Sequence, residues 1–402
     1  MVSDRPGERW PRSWPISQLR RPLPFTYLSH ESSSKPACIN PLLVSPYSIS
    51  FVIRPTKMPS EPFWVSSDDW HTAGEPFRIV SELPPHCAST AAISAAGLSV
   101  SQRRKDIINT PNHPVNLLRQ ALCQEPRGHA DMYGGFIVPP DDAGAHFGVM
   151  FWHKDGFSTA CGHGTIALGC WAIATGLVRA SEEGELDVVI DVPSGRVVAK
   201  VDMKAGKPNK VHFINVPSYQ IAAGLTARTG GETIKLDLAW GGATYAYVDV
   251  AQLDLPVQPS NHDEFVRLGR EIKADLGERA RHNDLELYGV CFYQHYSASA
   301  DEIEQRNVVV FADGQIDRSP CGSGTAARVA LLLAEGKLAS GKALIHRSII
   351  DTVFTATIES FAPSPTSFPG CIPRVTGLAH LMGKHQFFID EADPTYPGFV
   401  FR

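Results

Sequence analysis

The chain lacks any run of roughly 18 or more apolar residues, so no segment is long enough to cross a bilayer as a helix, and no membrane partner is expected. It lacks a Lys/Arg-rich stripe and carries a net charge of -5, which gives no electrostatic case for nucleic acid. It has no C-x-x-C pair. Its eight cysteines, at 38, 87, 123, 161, 170, 291, 321 and 371, are scattered over 402 residues. That is not the dense pattern of a small disulfide-stapled domain, so reduced thiols and a cytoplasmic location are expected. Its Gly-x-Gly turns lack the Lys of a P-loop and the full Rossmann pattern. What is present is an ordinary globular composition, 43% hydrophobic and 20% charged, over a length that suggests two or three domains.

Residues 1–60 differ from the rest. They are rich in Ser, Pro and Arg ("RPGERWPRSWPISQLRRPLPF", "SHESSSKPA") and poor in acids. They read as disordered, or as residues outside the natural protein with Met58 as its true start. A mitochondrial transit peptide is the competing reading, but the prolines oppose the amphipathic helix it needs.

From about Phe63 short β-rich stretches recur, among them "FRIVSEL", "HFGVMFW", "LDVVIDV", "TYAYVDV" and "RNVVVFA". Helices are fewer. "HPVNLLRQAL" and "HDEFVRLGREIKADL" have apolar residues three and four apart, as amphipathic helices do.

Two further helices share a start. "CGHGTIALGCWAIATG" from Cys161 and "CGSGTAARVALLLAEG" from Cys321 align 160 residues apart, matching Cys, Gly, Gly and Thr and ending on Gly176 and Gly336. Each is apolar on nearly every side, with Arg328 the exception, so each is expected to be buried. Gly176 and Gly336 suit the left-handed position that ends a helix. The repetition implies a tandem duplication, each half wrapping a curved, mostly antiparallel sheet around one buried helix, with the halves joining near residue 216.

A helix start has unpaired N–H groups and a positive end, and flanking glycines let a ligand approach the backbone. "CGHG" and "CGSG" therefore suit a carboxylate or phosphate. The positive end also lowers a thiol's pKa, making Cys161 and Cys321 candidate bases or nucleophiles. Two such sulfurs on opposite sides of one small anion could invert a carbon beside a carboxylate. One takes a proton, the other supplies one, and no cofactor is required. The competing readings are small buried cysteines, a metal held by Cys161 and His163, and a cysteine hydrolase. Packing alone does not explain the repeat, the metal lacks a second Cys/His pair, and the hydrolase leaves one thiol unused.

Six stretches resemble the proline racemase family: "DWHTAGEPFRIV", "EPRGHADMYG", "STACGHGTIA", "WGGATYAYVD", "RNVVVFADGQIDRSPCGSGTA" and "VTGLAHLMGKHQFFIDEADP". The resemblance runs from about Asp69 to the end of the chain. It implies an α/β fold similar to diaminopimelate epimerase, with two pseudo-symmetric domains and the site between them. Domains would then span 61–216 plus 375–402, and 217–374. It implies Cys161 and Cys321 as the acid/base pair, and the backbone N–H groups of Gly162, His163, Gly322 and Ser323 as the carboxylate cradle. Asp317 would meet the ring ammonium with His163 beside it, and Tyr133 and Phe311 would wall the pocket. His71 lies in a matching motif, where a structural role is expected. The implied partner is a small substrate, proline or hydroxyproline, and a homodimer is expected.

The family includes racemases and epimerases with cysteine at both positions, and trans-3-hydroxy-L-proline dehydratases, usually with threonine at the second. "RGHADMYG", "GFSTACGHG" and "VFADGQIDRSP" are similar to the dehydratase branch, whereas Cys321 matches the racemases. The reacting atom decides the expectation here: a racemase or epimerase of proline or hydroxyproline. Dehydratase activity is the alternative, and a silent amino-acid binder of the same fold the third reading.

Overall fold

The β-branched and aromatic stretches form strands because their side chains fill the two faces of a pleated surface. The computed structural model describes residues 61–401, so the expectations for residues 1–60 lie outside the described residues. The strands of the first half are β1 (Phe63–Thr72), β2 (Glu75–Val80), β3 (Tyr133–Val138), β4 (Phe147–His153), β5 (Gly156–Phe157), β6 (Glu183–Val192), β7 (Gly195–Lys204) and β8 (Lys207–Ile214). Then follow β9 (Ser218–Thr229), β10 (Glu232–Trp240), β11 (Thr244–Asp249), β12 (Gly289–Ala298), β13 (Glu302–Phe311) and β14 (Gln315–Asp317). Last come β15 (Ala343–Arg347), β16 (Val353–Ala362), β17 (Gly370–Gly377) and β18 (Ala379–Ile389).

The pairing repeats strand for strand. In the first half β1–β2 is antiparallel, β2–β3 parallel, β3–β4 and β4–β5 antiparallel, β4–β6 parallel, and β6–β7 and β7–β8 antiparallel. The second half gives the same series through β10–β11, β11–β12, β12–β13, β13–β14, β13–β15, β15–β16 and β16–β17. The halves exchange strands, since β9 pairs with β10 and β18 returns to β1. They are also stitched by β8 against β17. The result is a large mixed sheet with few helices.

The two cysteine-led helices lie inside this sheet. The first central helix, Gly162–Ala174, packs on β1, β7, β8 and β18, and the second, Gly322–Ala334, on β9, β10, β16 and β17. Every residue from Gly162 to Ile173 and from Gly322 to Leu332 is buried. Each fully buried Leu, Ile or Val there contributes roughly 1.5–3 kcal/mol. Arg328 is buried without isolation: its Nε donates to Gln305 Oε1 at 2.9 Å, and its guanidinium lies 4.0 Å from the Tyr293 ring centre. Gly176 (φ 75°) and Gly336 (φ 67°) close the two helices, donating N–H bonds to Ile173 and Leu333.

The expected amphipathic helices are Pro114–Cys123 and His262–Leu276, the second burying Phe265, Leu268, Ile272 and Leu276. The helix Val100–Asn109 went unanticipated, although Ser99 and Gln102 form a reciprocal capping box at its start. Among the described residues no helix is long and apolar enough to cross a membrane. All seven described cysteines are free and buried.

Candidate active site

The repeated Cys-Gly-x-Gly-Thr has a local reason at each position. Thr165 Oγ1 donates to the Cys161 carbonyl at 2.8 Å, and Thr325 Oγ1 to the Pro320 carbonyl at 3.0 Å, so both threonines fasten the turn leading into the helix. A Cβ on Gly162 would stand 2.5 Å from Gly322 Cα, and one on Gly322 would stand 2.6 Å from Gly162 Cα. Only glycine at both positions lets the two helix starts touch backbone to backbone. A Cβ on Gly164 would lie 2.7 Å from Cys161 Sγ, and one on Gly324 would lie 3.0 Å from Cys321 Sγ. The first glycine therefore brings the positive helix ends together and the second leaves room for sulfur.

Where the helices meet there is a small cavity of about 10 Å³. It is lined by both cysteines, Gly162, His163, Gly322, Ser323, Asp317, Tyr133 and Phe311, together with Ala160, Tyr245 and Tyr288. The structure thus gathers all nine residues singled out from the sequence, drawn from β3, β13, β14 and the two helix starts. The N–H groups of Gly162, His163, Gly322 and Ser323 lie in first turns, whose donors find no partner inside a helix. His71 lies elsewhere: its Nδ1 accepts the Gly74 N–H at 3.3 Å, in the turn joining β1 to β2.

Burial governs the electrostatics. Asp317 is buried, and its Oδ1 accepts from Ser319 N–H at 2.8 Å and from Ser319 Oγ at 2.7 Å. Loss of water nonetheless raises its carboxyl to about 6. The His163 ring lies 3.4 Å from Cys161 Sγ, and burial lowers its pKa to about 3, so it is a neutral imidazole near pH 7.

The thiols correct the dipole argument. Cys161 Sγ accepts the Gly164 N–H at 3.2 Å, as a helix-start anion would. Burial still drives the Cys161 thiol well above its usual range, against that N–H, with Asp317 and Glu75 adding to the rise. Cys321 is raised well above its usual range by burial and then by the Asp317 charge. Desolvation outweighs the helix end in this small cavity, and both sulfurs rest as thiols.

Four residues near the site escaped the sequence reading. The Tyr245 hydroxyl lies 2.7 Å from Ser323 Oγ and 3.8 Å from Cys321 Sγ. The Tyr288 hydroxyl lies 3.1 Å from that of Tyr133, which also bonds Ser158 Oγ. Glu75 is fully buried: one oxygen accepts the Arg318 N–H at 2.8 Å, and the other has no partner among the described residues. Burial, then Asp317, raises its pKa, against the Arg318 guanidinium 3.6 Å away. Tyr245 and Glu75 fall in stretches already noted, "WGGATYAYVD" and "DWHTAGEPFRIV". Nothing in their spacing signals an inward-facing role, because strand register decides it.

Comparison with known proteins agrees with this geometry. The sequence profile of the family described as "Proline racemase" matches residues 68–400. The chain is 37% identical over 348 residues to a trans-3-hydroxy-L-proline dehydratase of Azospirillum brasilense, covering 84% of this chain and 98% of that protein. It is 38% identical over 346 residues, with the same coverage, to a 3-hydroxyproline 2-epimerase of Burkholderia multivorans. Those identities are too close to choose between the two activities. Among solved structures, a hydroxyproline epimerase from Agrobacterium vitis with bound trans-4-OH-L-proline aligns with TM-score 0.72 and 26% identity, over 84% of this chain and 95% of that one. Two cysteine-led helices meeting at a small cavity, in a chain matched over most of its length, place this protein in the proline racemase family.

Proposed function

We propose that this protein inverts the α carbon of proline or hydroxyproline by proton transfer between Cys161 and Cys321. The observation that carries the reading is one cavity lined by both sulfurs, each at the start of its own buried helix. A substrate carboxylate would take the first-turn N–H groups of Gly162, His163, Gly322 and Ser323. The ring ammonium would face Asp317, with neutral His163 beside it, and that charge pairing offsets the carboxylate's desolvation. One sulfur, as thiolate, removes the Cα proton from one face while the other delivers its proton to the opposite face. The pair then stands ready for the other enantiomer. The N–H groups hold the charge that spreads onto the carboxylate as the proton leaves.

The hydroxyl-rich wall favours a second reading, dehydration of trans-3-hydroxy-L-proline. One sulfur takes the Cα proton, and the 3-hydroxyl leaves as water on taking a proton from the Cys321 thiol or a wall phenol. The test is incubation with L-proline, trans-4-hydroxy-L-proline and trans-3-hydroxy-L-proline in D2O. Inversion gives deuterium at Cα with changing optical rotation. A ketimine that borohydride reduces to proline, with no inversion of any ring, replaces the first reading by the second.

A further inference from the structure

A volume of about 10 Å³ in the cavity lined by both sulfurs holds one water at most, since a single water needs about 10–15 Å³ on that measure. A side chain must move before an amino acid binds. Beside this cavity lies a larger cleft of about 340 Å³, lined in part by His153, Ser158, Thr244 and Lys273. Tyr288 lines both spaces, and no other described residue does. It precedes β12 and is half-buried, and its ring stacks on Phe311 with centroids 5.7 Å apart. Its hydroxyl meets Tyr133, and Tyr133 meets Ser158, so three hydroxyls form one corner of a largely aromatic wall.

We propose that Tyr288 is a specificity-determining residue: it parts from Tyr133 to admit the ring, and the two phenols re-pair through a hydroxyl on that ring. The inference rests on the reading that the cavity binds a proline-type ring. Its argument is hydrogen-bond counting. Admitting a ring breaks the Tyr133–Tyr288 contact, after which Tyr133 keeps Ser158 and Tyr288 is left alone. A ring hydroxyl can donate to one phenol and accept from the other, which restores the count. A bare methylene restores nothing and offers the Tyr288 hydroxyl no partner within the cavity. Sites built to bond a hydroxyl reject the analogue that lacks it. The favoured substrate class is therefore the hydroxylated ring, whether inversion or dehydration follows.

The experiment follows loss of the Cα proton signal in D2O, which both reactions cause, for L-proline and the trans-3- and trans-4-hydroxy-L-prolines. Wild type is expected to prefer one hydroxyproline over proline by about tenfold or more in kcat/KM. Tyr288→Phe is expected to shrink that preference by about tenfold, the hydroxyproline rate falling by more than that of proline. Ser158→Ala, at the far end of the corner, shrinks it less. A preference that survives Tyr288→Phe, or rates that all fall by one factor, overturns the inference. So does a wild-type enzyme active on proline and indifferent to the hydroxyl. A wild-type enzyme that acts on none of the rings instead sinks the functional reading itself.

Discussion

The two cysteine-led helix starts share a motif but not a conformation. Cys161 is extended (φ −154°), and its sulfur caps the first helix by accepting the Gly164 N–H. Cys321 takes a left-handed conformation (φ 63°), and its side chain makes no cap bond. A non-glycine residue there costs roughly 1–2 kcal/mol, a strain that persists only where surrounding contacts impose it. Asp317 resists ionisation of both thiols, and each has a helix-start N–H in its favour, from Gly164 or Gly324; what differs is the neighbour, the His163 ring 3.4 Å from Cys161 Sγ and the Tyr245 hydroxyl 3.8 Å from Cys321 Sγ. A duplicated motif has become an unequal pair, and from the cap bond made by Cys161 alone we expect Cys161 to be the readier base and Cys321 the readier acid.

The largest effects should come from the sulfurs. Cys161→Ser or Cys321→Ser is expected to lower inversion by roughly 10²–10⁴-fold, measured by polarimetry. Cα deuterium wash-in separates the two variants. Cys321→Ser should retain exchange without inversion on one enantiomer, through Cys161. Equal exchange by both variants would erase the distinction, and full turnover of trans-3-hydroxy-L-proline by Cys321→Ser would favour the dehydratase reading.

Asp317 comes next. Its carboxyl, raised to about 6 by burial, must be ionised to hold the ammonium, so wild-type kcat/KM should fall as pH drops through about 6. Asp317→Asn should lower kcat/KM roughly 30-fold and remove the inflection near pH 6, leaving only the rise that comes with ionising the base thiol. An inflection near pH 6 that persists in the variant belongs to another group.

Tyr245→Phe should have the smallest effect, a drop of about fivefold in kcat/KM from the lost contacts to Ser323 and Cys321. The Tyr245 hydroxyl favours the Cys321 thiolate, so its removal should raise that pKa further and move the alkaline limb to higher pH. A pH profile identical to wild type would show that this phenol does not act on Cys321.

The centre of this site was legible because it is written twice. Glycines, threonines and an apolar helix recur at one offset, and each of those residues proves to have a packing or bonding reason. The residues themselves made the duplicated sheet legible only as a class; the return of the C-terminal strand to the first half came from the family resemblance, and the crossing of β9 to β10 depends on pairings the pattern does not show. The outer wall was hidden for the same cause. Tyr288 sits just before an ordinary strand, where its N–H donates to the Thr244 carbonyl at 3.0 Å, and only the fold brings it to the cavity wall. The thiol ionisation was misjudged because a helix start can be read from sequence, whereas the depth of its burial cannot.

The most direct test of the central claim is a crystal structure of the wild-type protein with pyrrole-2-carboxylate, a planar mimic of the deprotonated substrate. Cys161 Sγ and Cys321 Sγ should lie on opposite faces of the carbon bearing the carboxylate, with that carboxylate on the N–H groups of both helix starts and Tyr288 swung toward the cleft. A ring with both sulfurs on one face, or bound outside the cavity, would contradict the account.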